Sequence, residues 1–150
     1  MGDKEEQSEI NVSDLSVFSS LPEPTQNIVG YDERARTIRQ ETIEVKVFAD
    51  FCRENRLEVS GALLKVDTQG YEMKVLKGAE PILEQLKLIQ LEIAPNENYK
   101  DQATIGSTVE WLRERHFAPL LITPVSFDMK QKRILDFDFV FINKNATRED

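Results

Sequence analysis

From residue 42 onward, apolar positions recur first with period two, then with helical spacing, then with period two again, and this change of rhythm divides the chain into elements. Residues 42 to 47 set Ile43, Val45 and Val47 against Thr42, Glu44 and Lys46, the pattern of a half-buried strand. A short helix is predicted over residues 48 to 55 and a connector over 57 to 61. Residues 62 to 66 form a nearly continuous apolar run, interrupted only by Lys65, as in a parallel strand covered on both faces. Helical spacing follows, with Val75, Leu76, Ala79, Ile82, Leu83 and Leu86 on one stripe. Gly78 and Pro81 interrupt that stripe, which predicts a break near Gly78 and a restart at Pro81. Residues 88 to 93 alternate again until Pro95 stops them. Ser107-Thr108-Val109-Glu110 has the form of a capping box opening a helix through His116. Residues 117 to 122 and 137 to 142 read as the last strands, joined by a polar excursion over 128 to 133. Alternating strands and helices predict a layered α/β fold.

The flanks differ in composition. Residues 1 to 10 are acidic and polar and are expected to form a disordered tail, residues 11 to 143 the folded unit, and residues 144 to 150 a polar tail. Between residues 21 and 39, Pro22, Pro24 and Gly30 mark an irregular connection that ends in a short helical turn. The acidic start lacks the basic and apolar regions of a signal peptide, and no apolar run reaches the length of a membrane span, so no membrane partner is expected.

Charge narrows the partners. With 19 basic and 27 acidic side chains the formal charge is -8, so the average field repels phosphates and nucleic acid is not an expected partner. Arg34, Arg36 and Arg39 are interleaved with Asp32, Glu33 and Glu41, which makes that segment a solvated mixed-charge face. Cys52 is the single cysteine, which excludes an internal disulfide and a cysteine-rich zinc site. A small buried thiol in a reducing, cytoplasmic setting is the expectation.

Candidate chemistry concentrates in Leu63 to Glu72, an apolar strand ending in Asp67, a turn at Gly70, and a second carboxylate, Glu72, opening a helix. In open α/β sheets ligands bind beyond the carboxyl ends of parallel strands. Asp67 and Glu92 each stand at such an end, on strands joined by a helical crossover. Adjacent strands lie about 4.8 Å apart, so both carboxylates can face one reacting centre, and burial or a like charge would tune either as a base. Glu92 can also be read as an exposed strand terminus, Asp67 as a turn residue and Glu72 as a helix-start residue. Asp67, Glu92 and Asn96 are hard oxygen groups of the kind magnesium uses, but no metal site is assigned. His116 falls on the opposite edge of the predicted sheet, where a helix C-terminus suits an imidazole, and Trp111 reads as packing.

The residues Lys65, Val66, Asp67, Gln69, Gly70 and Glu72 resemble the signature K-[IV]-D-x-[EQ]-G-x-E of the FkbM family of methyltransferases. The similarity continues through Val75-Leu76-Lys77-Gly78-Ala79, residues 88 to 93 and a closing strand at 137 to 143, and upstream through Asn11 and Ser19-Ser20-Leu21. The resemblance implies the C-terminal portion of a Rossmann-like class I methyltransferase sheet, mostly parallel with an antiparallel last strand. It also implies transfer of a methyl group from S-adenosylmethionine to a hydroxyl of a small molecule or sugar. For such a transfer, the positions of Asp67 and Glu92 at the strand ends make Asp67 the residue expected nearest the transferred methyl, with Glu92 the alternative base or substrate anchor. The resemblance suggests that Ser19 and Ser20 lie near the cofactor or substrate, and they are assigned to cofactor binding, while Gln69 and Glu72 are expected to contact substrate. The six glycines are scattered, with none paired in the tight loop such enzymes use to grip the cofactor. A half-domain is therefore expected, one that self-associates or takes a complementary polypeptide along the Leu63 strand. The alternative is a non-catalytic binding or assembly module on the same scaffold.

Overall fold

A computed structural model describes residues 1–146. Its main sheet has four strands in the order β3-β4-β6-β5, with β3 at Leu63–Val66, β4 at Leu88–Ile93, β5 at Phe117–Asp128 and β6 at Arg133–Asn143. β3 and β4 pair in parallel, and β6 lies antiparallel to both of its neighbours. Three strands therefore point one way, and the last strand of the chain is inserted between β4 and β5 in the opposite sense. The sheet is mixed and the architecture α/β.

Register gives the two faces of this sheet different characters. On one face Leu64, Ile89 and Phe141 stand side by side, as do Val66, Leu91 and Phe139, and all six are buried. Helix α3 (Glu72–Ala79), the 3-10 turn at Glu80–Gln85 with Leu86 that follows it, and helix α4 (Ile105–Glu114) cover them, contributing Val75, Leu76, Ala79, Leu83, Leu86 and Leu112 to one core. On the other face Leu63, Leu88, Ile142 and Ala118 form one row, and Lys65, Gln90, Val140 and Leu121 the next. This face stays open, with Leu63 53% and Leu121 57% exposed. The continuous apolar run at 62 to 66 suggested burial on both sides, but the structure buries only Leu64 and Val66 of β3.

The break near Gly78 has a packing cause as well as a propensity one. α3 ends at Ala79, and a Cβ on Gly78 would lie 1.9 Å from the carbonyl oxygen of Gly2, so the N-terminus passes directly over the helix. That contact corrects the expectation of a disordered tail over residues 1–10. Gly2 is buried and donates its N–H to the Lys46 carbonyl at 2.9 Å, Asp3 pairs with Lys74, and Glu6–Ser13 form strand β1. β1 pairs antiparallel with β2 (Thr37–Val45) in a separate two-stranded ribbon. A polar, acidic segment reads as disordered because it has little to bury. Here backbone pairing with a partner some thirty residues away orders it, and composition carries no trace of that partner. Of the predicted polar tail, residues 144–146 form a turn and the rest lies outside the described residues.

Two smaller boundaries also move. α4 begins at Ile105, because Thr104 rather than Ser107 is its cap: the Thr104 hydroxyl accepts from the Ser107 N–H at 3.1 Å. The helix ends at Glu114, and His116 sits beyond it in the left-handed region at φ 66°. Between β1 and β2, helix α1 (Gln26–Tyr31) and two 3-10 turns fold into a small satellite around Ile28, Val29 and Ala35. Helix α2 (Phe48–Glu54) lies against α3 and places Cys52 in the interior as a free thiol.

Candidate functional site

The turn after β3 is built around Glu72. Its Oε1 accepts from the backbone N–H groups of Thr68 at 3.0 Å and Gly70 at 3.1 Å and from the Thr68 hydroxyl at 3.2 Å. Expected as a substrate contact, Glu72 is instead buried, 8% exposed, and clamps the turn from within. Burial pushes its carboxyl up, against hydrogen bonds from its own N–H and those of Thr68 and Gly70 that pull it down. Gly70 has φ 90°, and a Cβ there would fall 2.6 Å from Cβ of Tyr99, so both the backbone angle and the space require glycine. Gln69 before it is also left-handed, at φ 54°.

The turn aims three side chains at one place. Nε2 of Gln69 donates to Asp67 Oδ1 at 3.0 Å and to Glu92 Oε1 at 3.4 Å, while the Tyr99 hydroxyl donates to Gln69 Oε1 at 2.9 Å. Asp67 and Glu92 thus meet at the carboxyl ends of β3 and β4, as their sequence positions suggested. Lys65 Nζ lies 3.4 Å from the other oxygen of Asp67. Asp136 and Asp138 on β6 add further negative charge beside Glu92. Burial, then Asp67 and Asp136, push the Glu92 carboxyl up to about 7, with the Gln69 amide opposing the rise and Asp138 adding to it. Burial likewise raises Asp136, which accepts from Asn98 Nδ2 at 3.3 Å.

These groups line a cleft of about 610 Å³ between the open face of the sheet and the Leu15 to Arg34 segment, with Asp67, Gln69, Glu92, Ser126 and Asp136 on one side and Phe18, Ser19 and Tyr31 on the other. Arg34 is the cation on this lining, and Asp32 holds it at 2.6 Å. The far wall is positioned by Thr25 and Asn27. Their side chains donate to the Glu97 carbonyl at 2.7 Å and 3.0 Å, tying the segment to the loop after β4.

Ser19 and Ser20 part company. Ser19 lines the cleft, and its hydroxyl oxygen accepts from the Ser13 N–H at 3.1 Å. Ser20 is buried away from the cleft, donates to the Pro22 carbonyl at 2.7 Å, and exchanges backbone hydrogen bonds with Asn11 at 2.8 and 3.0 Å. Asn11 in turn donates from Nδ2 to the Leu21 carbonyl at 3.0 Å. The Asn11 and Ser19-Ser20-Leu21 motif therefore acts as a staple that hangs the far wall on β1. Asn96 is exposed and does not line the cleft, and among the described residues no group of three or more His, Cys, Asp or Glu side chains can hold a metal ion. His116 is outside the cleft, and Trp111 packs on the core under the guanidinium of Arg115, 3.7 Å above its ring.

Sequence reasoning missed Tyr99, Ser126 and Asp136. Asp136 and Asp138 alternate with Phe137 and Phe139, so a common face was legible. That β6 inserts next to β4 was not. Tyr99 lies in an irregular loop, where no periodicity marks it.

No curated protein matches this sequence, and no solved structure matches it either. A model of the methyltransferase FkbM domain matches residues 2–119, from the N-terminal segment over α3 through β3, β4 and α4 into β5, and leaves Ser126 and Asp136 beyond its end. Because that match spans well over half of the 150 residues and includes the whole Asp67 to Glu92 side of the cleft, the chain belongs to the methyltransferase FkbM domain family.

Proposed function

We propose that this chain carries the acceptor side of an S-adenosylmethionine-dependent O-methyltransferase acting on a hydroxyl of a small molecule or sugar. One observation carries the reading: in a member of a methyltransferase family, two carboxylates from adjacent parallel strands, Asp67 and Glu92, share one amide donor in an open cleft. A hydroxyl becomes a competent nucleophile when its proton leaves as it attacks, and a base near neutrality does this best at neutral pH. With its carboxyl at about 7, Glu92 suits that role, and Asp67 beside it orients the hydroxyl and supports the charge. The sequence favoured Asp67 as base; burial and the neighbouring charges turn the proposal towards Glu92.

The cofactor fits only in part. The acidic cleft suits the sulfonium and ammonium groups of S-adenosylmethionine. Its carboxylate and nucleoside need free backbone N–H groups and a close glycine turn, and the N–H groups of Thr68 and Gly70 are already taken by Glu72. Among the described residues no second strand stands on the free side of β3 to bring another loop. The residues present therefore do not make the whole cofactor site, and a non-catalytic binding role on this scaffold is the second reading that this observation favours. We further propose that a second copy of the chain covers β3 and its apolar row, in a reducing, cytoplasmic setting to which the buried free Cys52 is suited.

Transfer of labelled methyl from S-adenosylmethionine to a panel of hydroxylated small molecules tests the reading. Glu92→Gln and Asp67→Asn are each expected to lose about 10²-fold or more, with His116→Ala close to wild type. Loss with His116→Ala and full transfer with Glu92→Gln would overturn it. Calorimetric titration with S-adenosylhomocysteine is expected to show weak binding, and tight binding at low micromolar concentration would contradict the partial fit.

A further inference from the structure

We infer that Gln69 is a positioning residue, locked by Tyr99, that holds the carboxylates of Asp67 and Glu92 as one hydrogen-bonded pair. The inference deepens the acceptor-site reading and draws its functional meaning from it. A primary amide has two donors at one end and an acceptor at the other. Gln69 uses both ends, with Nε2 between Asp67 and Glu92 and Oε1 under the Tyr99 hydroxyl. Turning the amide over would set its carbonyl oxygen against two carboxylates. The Tyr99 hydroxyl secures the productive orientation by donating to that carbonyl.

Tyr99 is itself fixed. It is 2% exposed, its backbone N–H donates to Gln102 Oε1 at 3.2 Å, and it forms a bridge with Pro24 on the far wall. Its ring rests on Gly70, where no side chain fits. Gln69 meets it only by taking a left-handed backbone conformation, which a residue of its kind seldom adopts. Such an outlier persists when its surroundings over-determine it. A glutamate at this position could donate to neither neighbour without carrying a proton, and would bring a further negative charge to a site already facing Asp67, Glu92, Asp136 and Asp138. In this chain, which carries the glutamine of the two residues, glutamate or glutamine, that this position of the signature admits, the amide reconciles the two carboxylates.

The test is titration of Glu92 by nuclear magnetic resonance on ¹³C-glutamate-labelled protein, without cofactor or acceptor. The groups that set its midpoint are Asp67 at the end of β3, with Lys65 beside it, Asp136 and Asp138 on β6, and the Gln69 amide. Gln69→Gly tolerates the left-handed backbone and removes the donor, so the midpoint is expected to rise by roughly one pH unit. Tyr99→Phe keeps the ring and releases the amide, and the midpoint is expected to rise by a smaller step in the same direction. An unchanged midpoint in Gln69→Gly overturns the inference. A rise in Gln69→Gly with none in folded Tyr99→Phe removes Tyr99 from it, and should Tyr99→Phe fail to fold, Gln69→Gly decides alone. Since no transfer enters this measurement, absent methyl transfer with the expected shifts would sink the functional reading and leave the positioning role standing. Glu92-dependent transfer with no shifts would do the reverse.

Discussion

The two faces of the main sheet are made by the same four strands, yet they are built to different rules. Under the helices the rows that cross β3, β4 and β6 are apolar and buried: Leu64, Ile89 and Phe141, then Val66, Leu91 and Phe139. On the other face polarity climbs along the strands, from Leu63, Leu88, Ile142 and Ala118 through Lys65, Gln90, Val140 and Leu121 to Glu92 and Asp138. The covered face holds the fold together by burial, which is uniform along its length. The open face has a direction, and its acidic end coincides with the carboxyl ends of β3 and β4, where the cleft lies. Apolar burial and charge are thus separated across the thickness of one strand, residue by residue.

Truncation on either side of the sheet is the strongest way to break this contrast. Phe141→Ala empties a site of full burial and is expected to cost about 3–5 kcal/mol in a denaturant unfolding series. Leu63→Ala, on the open face, is expected to cost less than about 1 kcal/mol in dilute monomer. Equal costs would mean that the open face is a second core and that the division of labour is wrong.

A smaller effect concerns the two edges. β5 carries Pro119 and Pro124 and three register irregularities, devices that keep an edge from pairing. β3 has only Lys65 for that purpose, next to the apolar row that begins at Leu63. Light scattering across a concentration series is expected to show self-association that Leu63→Lys weakens. A monomer at every concentration, with the amides of residues 63 to 66 strongly protected from exchange, would contradict it, whereas a monomer with those amides unprotected and then covered by another polypeptide would name a different partner.

Much of this was legible in the sequence, for identifiable reasons. The strand and helix rhythm marked β3, α3, β4 and the ends of β5 and β6, because burial on one side imposes a period that composition cannot hide. Asp67 and Glu92 were found because a crossover helix between two parallel strands dictates where their ends lie. What could not be read depended on partners distant in sequence. β1 owes its order to β2, Asp136 reaches the cleft only because β6 inserts beside β4, and Glu72 turned inward because two backbone N–H groups of its own turn needed an acceptor. The Leu15 to Arg34 wall, irregular and rich in proline, carried no periodic signal at all.

The smallest effects are electrostatic, and they bear on the central claim that the acidic end of the open face is a working site. A carboxyl raised from its ordinary 4.5 to about 7 in the folded chain binds its proton more tightly there than when unfolded. Its contribution to stability is therefore fully present below about pH 4.5 and lost as pH rises through about 7, and Glu92→Gln is expected to flatten that part of the stability profile. The most direct single measurement is the titration midpoint of Glu92 in the wild-type chain and in Asp67→Asn. The expected result is a midpoint near 7 that falls when the Asp67 charge is removed. A wild-type midpoint in the ordinary carboxylate range, unmoved by Asp67→Asn, would contradict the account.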